Sequence, residues 1–223
     1  MKYKLVAFWL VVFGALFAFL QTSFEYHFYY IEQSQLFLFS KTYAMEKLVL
    51  PGGLSMLVAE FLVQFFILPY AGPAIVAALL TGVGICTAGI VKRIAPSSAL
   101  FLLYVLPVLA LLFMHFDFNY RVQGTVCYLM MTAALYGYMR IRRDLFRLVA
   151  GCVLVPVLFW LAGSVALLFA GMVCLYELLR KTSKWYISLI GMAEVLLLGL
   201  GVVYFSLMGE YRWVFGPDLY YHN

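Results

Sequence analysis

The sequence has few charged residues. Asp, Glu, Lys and Arg make up only 11% of its 223 residues, whereas a soluble domain averages about 25%. Hydrophobic residues account for 66% of the chain, and several apolar runs approach the roughly 20 residues that cross the hydrocarbon core of a bilayer. This composition excludes a water-soluble globular domain and predicts an all-α, polytopic helical membrane protein.

The chain also lacks motifs that identify a reaction. No HExxH, EF-hand loop or GxSxG occurs. The four cysteines lie inside apolar runs without CxxC spacing, which predicts neither a disulfide nor a metal centre. The basic residues that produce the net charge of +5 form short clusters at the ends of apolar runs, so the predicted partners are membrane lipids, not nucleic acid. The sequence identifies no cofactor.

The apolar runs predict about seven spans and one interfacial or re-entrant element in a single transmembrane domain covering residues 1–223. The predicted spanning runs are residues 5–21, 74–91, 99–116, 122–139, 148–179 and 187–208. The run at 148–179 is too long for one crossing at about 1.5 Å per residue, and Gly163 lies near its middle, so we interpret it as a helical hairpin. Small residues at Gly82, Ala88 and Gly89 predict close helix packing.

A weaker apolar run at residues 54–70 carries Glu60 and Gln64 on one helical face. Because an acid in mid-membrane is costly, we interpret this run as an element that does not cross. Residues 31–50 are predicted to form an amphipathic helix at the membrane interface, which the PGG sequence at 51–53 ends. Residues 23–70 then form one loop that contains interfacial or re-entrant helices.

The basic clusters at 92–93, 140–147 and 180–184 predict the cytoplasmic side of a bacterial inner membrane. Residues 23–70 and the tail at 210–223 then lie outside. In an alternative arrangement, the amino terminus lies outside and residues 54–70 cross the membrane. Both arrangements place eleven Lys and Arg inside and four outside, so the preference depends on the first helix, which usually dominates insertion.

The predicted outer face collects acids, imidazoles and amides. The candidate catalytic residues are carboxylates, because such groups serve as general acids and bases: Glu25, Glu32 and Asp117. The candidate ligand-binding residues share polar side chains near the same face: His27, Gln33, His115, Asn119, Arg121, Glu60 and Gln64. Glu194 is a separate candidate, as an acid inside the last span. Simpler interpretations are turn chemistry for Asp117 and Asn119 and an interfacial aromatic anchor for residues 24–40.

Four short stretches carry a resemblance to a known family: EQSQLF at 32–37, PGG at 51–53, AEFLVQF at 59–65 and DFNY at 117–120. They resemble the amino-terminal membrane region of a family of multi-pass inner-membrane proteins from Bacteroidota. That family has no established activity, so the resemblance implies none for this chain. The acidic loop after the first helix is also similar to that of membrane glycosyltransferases that use lipid-linked sugar donors. This chain lacks the paired acids, such as DxD, that those enzymes carry there.

The leading hypothesis is an integral inner-membrane protein whose extracytoplasmic aromatic and acidic face binds a lipid-linked or amphipathic ligand. Three alternatives remain open. A glycosyltransferase-like enzyme would use the carboxylates of the outer face. A transporter would need a polar path that links Glu194 with Glu60 and Gln64. A structural or assembly subunit would bind a membrane-protein partner.

Overall fold

The computed structural model describes residues 2–35, 37–94, 102–179 and 185–208. All regular structure within these ranges is helical, which confirms the all-α part of the predicted fold class. The described helices are α1 (Lys2–Ser23), α2 (Glu25–Ser34), α3 (Lys41–Val49), α4 (Gly53–Val63), a 3-10 turn (Gln64–Ile67), α5 (Ala71–Ile94), α6 (Leu102–Met114), α7 (Val122–Arg140), α8 (Asp144–Ala162), α9 (Val165–Leu179) and α10 (Trp185–Met208). The basic cluster at 180–184 and the tail at 210–223 lie outside the described residues.

Three helices in the described ranges are long and apolar enough to cross a membrane: Leu5–Ser23, Ala71–Ile94 and Asp144–Ala162. The predicted number of about seven spans is not supported. Helix α6 has 13 residues and α9 has 15, which reach about 20 and 23 Å, short of a hydrocarbon core of about 30 Å. Helix α7 is longer but carries Gln123, Thr125 and Thr132.

The long helices share two common ends. Helices α5 and α7 run parallel, because Tyr136 packs on Gly89 and the Arg93 Nη1 atom donates to the Met139 oxygen at 2.5 Å. The "covered end" of the bundle is where α1, α6 and α8 end and where α5, α7 and α9 begin. The opposite end is the "basic end", because it carries Lys92, Arg93 and the basic residues between 140 and 147.

Helix α5 packs closely against its neighbours where its residues are small. A side chain at Gly84 would overlap the ring of Trp9 from α1 and contact Val108 from α6. The Tyr136 ring from α7 covers Gly89 in the same way, and Ala88 is buried beside Trp9. The close helix packing predicted for this run is therefore confirmed.

The run at 148–179 is a helical hairpin, as predicted. Helix α8 ends at Ala162 and α9 begins at Val165. Gly163 between them has φ +71°, in the left-handed region that glycine adopts without steric cost. This turn lies at the covered end. Both helices of the hairpin pack against α7 and α10 in a cluster of buried hydrophobic residues.

The single interfacial helix predicted for residues 31–50 is wrong. Helix α2 ends at Ser34, Gln35 is extended, and α3 begins at Lys41. The Gln64 Nε2 atom donates to the Gln35 oxygen at 2.9 Å, and the Phe37 ring packs edge-on against the Phe61 ring. These contacts with the α4 region hold the chain extended where amphipathic periodicity alone predicts a helix.

Helix α4 lies across the covered end. At its beginning, the Gly52 nitrogen donates to the Trp160 oxygen at 2.9 Å, near the end of α8. The 3-10 turn that follows α4 packs the buried ring of Phe66 against Phe28, and Phe28 also contacts Gly72 near the start of α5. Both ends of this segment therefore lie at the same end of the bundle.

Candidate functional site

A buried carboxylate, Glu60, is the centre of a polar cluster at the covered end. The Tyr43 hydroxyl donates to its Oε2 atom, and the Lys47 Nζ atom lies 3.2 Å from Oε1. Lys47 also contacts the Met56 Sδ atom at 3.0 Å. Tyr43 and Lys47 are four residues apart on α3, as Met56 and Glu60 are on α4, so each pair lies on one helical face. The PGG turn brings the two faces together.

Arg121, the residue just before α7, belongs to the same cluster because the charge of Glu60 acts on its guanidinium. Burial lowers the pKa of Arg121, whereas the nearby Glu60 carboxylate and Tyr43 hydroxyl raise it. An arginine stays protonated under such shifts. Burial is also the main cause that raises the pKa of Tyr43, followed by its hydrogen bond to Glu60. The cluster therefore contains two cations, Lys47 and Arg121, around one carboxylate.

The Arg121 guanidinium is half-buried and forms no hydrogen bond or ion pair with any residue that the structure describes. Its donors are arranged in a planar fork that matches carboxylate and phosphate oxygens. The excess of positive charge and the unused donors favour an anionic group on a ligand.

Two buried histidines form a second group at the same end. The His115 Nε2 atom lies 2.9 Å from the Thr125 hydroxyl, which the Tyr120 hydroxyl also contacts at 3.3 Å. The Nδ1 atom of His115 and both ring nitrogens of His27 have no partner among the described residues. His27 lies in an aromatic environment, with its ring centroid 4.8 Å from that of Phe118.

Burial is the main cause of the pKa shifts of both histidines. Burial, together with the smaller effect of the nearby His27, lowers the pKa of His115 to about 3. Burial also lowers the pKa of His27, although the Asp117 carboxylate opposes this shift. Burial thus favours the neutral form of both rings, in which each imidazole offers one N–H donor and one acceptor.

The other predicted residues have simpler placements. Asp117 is exposed, and its Oδ1 atom accepts from the Asn119 backbone nitrogen at 2.9 Å, which favours the turn interpretation for both. Glu32 is half-buried on α2 and Gln33 is exposed there. The side chain of Glu25 lies outside the part of the chain that the structure describes.

Glu194 belongs to a different part of the molecule. The Cys152 Sγ atom of α8 lies 2.9 Å from its Oε2 atom. Glu60 and Glu194 share no partner within the described ranges. The structure thus brings Glu60 together with Arg121, and His27 together with His115 and Asp117, but it leaves Glu194 apart.

The residues with the shortest contacts to Glu60 are not among the predicted set. Tyr43 and Lys47 could have been found only from the matching four-residue spacings on both sides of PGG. A second missed group lies at the basic end, where Arg147 and Glu177 form a buried ion pair with an Nε–Oε1 distance of 2.5 Å. These two residues are 30 positions apart, and no local pattern links them.

Metal binding receives no support from the geometry. Across residues 2–35, 37–94, 102–179 and 185–208, no group of three or more His, Cys, Asp or Glu side chains is arranged to hold a metal ion.

Comparison with known proteins identifies a family but no activity. The whole chain, residues 1–223, matches the family described as "Family of unknown function (DUF6057)". No curated protein and no solved structure matches the chain. The match does not show in which organisms the family occurs, and it shows no similarity to glycosyltransferases.

Proposed function

Because the chain belongs to the DUF6057 family, whose function is not known, we propose from geometry alone that it is an integral membrane protein that binds the anionic head of a lipid-linked or amphipathic ligand at its covered end. The observation that carries this proposal is Arg121, a half-buried cation beside Glu60 whose donors are unused by the described residues. A phosphate, which arginine binds with two parallel hydrogen bonds, is the head group that we propose.

The proposed placement is a multi-pass protein of a bacterial inner membrane, in which α1, α5 and α8 are crossing helices, because they are long and apolar enough to cross. The concentration of Lys and Arg at the basic end supports a cytoplasmic location for that end. The covered end then faces outward. Residues 23–70 form an interfacial loop in this arrangement, which is supported by the position of both ends of α4 at one end of the bundle.

Cysteine labelling tests this placement. In a variant without the four native cysteines, Ser23→Cys and Ser164→Cys are expected to react with a membrane-impermeant maleimide in intact cells, because both lie at the covered end. Arg142→Cys, at the basic end, should react only after permeabilisation. Labelling of Ser23→Cys and Ser164→Cys from opposite sides would contradict the common covered end.

An aromatic surface beside the Glu60 cluster supports an amphipathic ligand. The Phe61 ring lies 5.7 Å from the Phe37 ring and 5.2 Å from the Phe65 ring, and Phe37 also contacts Tyr43. Phe61, Phe65 and the neighbouring Phe39 are exposed. Contiguous exposed apolar surface of this kind marks a binding site or a membrane contact, so a ligand with a charged head and an apolar chain could contact both surfaces.

Binding of a simple isoprenoid phosphate tests the role of Arg121. We expect Arg121→Gln to weaken the binding of farnesyl phosphate by about 10- to 150-fold, the loss that a hydrogen bond to a charged group of about 1.5–3 kcal/mol implies. Calorimetry on the detergent-solubilised protein measures the affinity, with farnesol as the uncharged comparison.

Arg142→Gln is the matched control, because Arg142 is an exposed arginine at the opposite end. It should bind farnesyl phosphate like the unmodified protein, and Arg121→Gln should leave the weaker farnesol binding unchanged. Equal affinities of the two variants for farnesyl phosphate would contradict the proposal.

The alternatives receive less support. The transporter hypothesis needs a path between Glu194 and Glu60, and the described contacts of these two acids do not overlap. For a glycosyltransferase-like enzyme, Glu25, Glu32 and Asp117 remain predictions. Glu60 is the carboxylate whose charge acts on Arg121, the residue proposed to hold the head group.

A further inference from the structure

A long apolar groove runs along the side of the bundle between α1, α5 and α7. Its volume is about 710 Å³, within the range of about 300–1,000 Å³ that is typical of small-molecule sites. Its walls include Trp9 and Phe13 from α1, Ala78 and Gly82 from α5, and Tyr136 from α7. This groove is separate from the Glu60 cluster, which lies at the covered end.

Two cations lie near the basic end of the groove, one in its wall and one on a wall residue. Lys92 lines it at the basic end, and its Nζ atom lies 5.8 Å from the Tyr104 ring centroid. The Arg140 guanidinium lies 5.2 Å from the ring centroid of Tyr136, which forms part of the wall. Neither Lys92 nor Arg140 forms an ion pair within the described residues. An anionic group at this end would therefore meet two uncompensated positive charges.

The groove is long enough for one hydrocarbon chain. Ala78 and Lys92 are 14 positions apart on α5, which corresponds to about 21 Å along the helix. One leaflet of a bilayer contributes about 15 Å of hydrocarbon. An acyl chain that starts at Lys92 can thus follow α5 from the cytoplasmic interface towards the centre of the membrane.

We propose that this groove binds one acyl chain of an anionic phospholipid, whose phosphate is held by Lys92 and Arg140. The inference rests on the membrane placement proposed above and does not depend on the ligand of the covered end. A helix from a second protein is a poorer fit. The glycines that would permit its close approach, Gly84 and Gly89, are already covered by the rings of Trp9 and Tyr136.

Native mass spectrometry of the full-length protein tests this site. The protein is reconstituted in vesicles of equal parts phosphatidylglycerol and phosphatidylcholine. It is then released from the vesicles in the mass spectrometer, and the lipids that stay bound to it are counted. The unmodified protein should retain phosphatidylglycerol preferentially. Lys92→Gln should lower the ratio of phosphatidylglycerol to phosphatidylcholine about five-fold, the factor expected for one basic residue near an anionic head group.

Two further variants separate the head group from the chain. Arg142→Gln removes an exposed charge at the same end and should leave the ratio unchanged. Ala78→Phe fills the groove and should lower the retention of both lipids without changing the oligomeric state.

An equal effect of Lys92→Gln and Arg142→Gln would overturn the proposal, because the selectivity would then come from general surface charge. A dimer that Ala78→Phe converts to a monomer would also overturn it and would assign the groove to a second copy of the chain. Both results are independent of farnesyl phosphate binding and of the labelling pattern.

Discussion

Replacement of Glu177 by alanine is expected to lower the free energy of unfolding by about 3–5 kcal/mol, because the buried Arg147 charge loses its buried partner and keeps the partly exposed Asp144 carboxylate. The side chains of Arg147 and Glu177 are only 3% and 4% exposed. They meet through two contacts, Nε to Oε1 at 2.5 Å and Nη2 to Oε2 at 3.2 Å, and the Tyr138 hydroxyl donates to Oε1 at 3.0 Å. Thermal and denaturant unfolding in detergent measure the change.

Asp144 provides the matched control. Its carboxylate accepts from the same arginine at 2.9 Å but is 25% exposed, so Asp144→Ala should cost no more than about 1 kcal/mol. The double variant Arg147→Met with Glu177→Leu should recover most of the stability, since it removes both charges together. If Glu177→Ala and Asp144→Ala unfolded alike, the ion pair would not be a major source of stability.

Substitution of Gly53 by alanine is expected to disrupt the covered end. A Cβ atom at this position would overlap the backbone oxygen of Lys47, and a backbone atom cannot move aside as a flexible side chain does. We expect a cost at or above the upper end of the range of about 1–3 kcal/mol that overpacking produces. Because Lys47 would shift away from Glu60, farnesyl phosphate binding should weaken as well.

Gly171→Ala is the comparison for this variant. Gly171 lies within α9, where an added Cβ would meet nothing within 4 Å, and alanine is the better helix former by about 1 kcal/mol. Its stability should be unchanged or slightly higher, with binding unaffected. Normal stability and binding for Gly53→Ala, measured in the same two assays, would contradict the contact between the PGG turn and α3.

The helical class and the hairpin were predictable because they depend on local patterns. Apolar runs, the length of the 148–179 run and a glycine near its middle are visible in the sequence alone. The number of helices able to cross was harder to predict, because it depends on where each helix ends. Helix α6 ends at Met114, two residues before the apolar run does, and the chain then turns through residues 115–121.

The candidate site was predictable only in part, because its contacts are long-range. Glu60 and Gln64 could be recognised as polar residues in an apolar run. Their partners depend on tertiary structure, since Gln64 binds the oxygen of a residue 29 positions earlier. That contact also interrupts the predicted interfacial helix. The charge of Arg121 reaches the same cluster only because α4 folds over the start of α7.

The contacts between Gly52 and the turn at the end of α8 have a consequence for biosynthesis. The Trp160 oxygen accepts from the Gly52 nitrogen at 2.9 Å, and the Trp160 Nε1 atom donates to the Leu48 oxygen at 2.7 Å. A nascent chain that has emerged from the ribosome only as far as α7 lacks both anchors for the PGG turn. These two hydrogen bonds can therefore form only after the end of α8, more than a hundred residues later in the chain, has been synthesised.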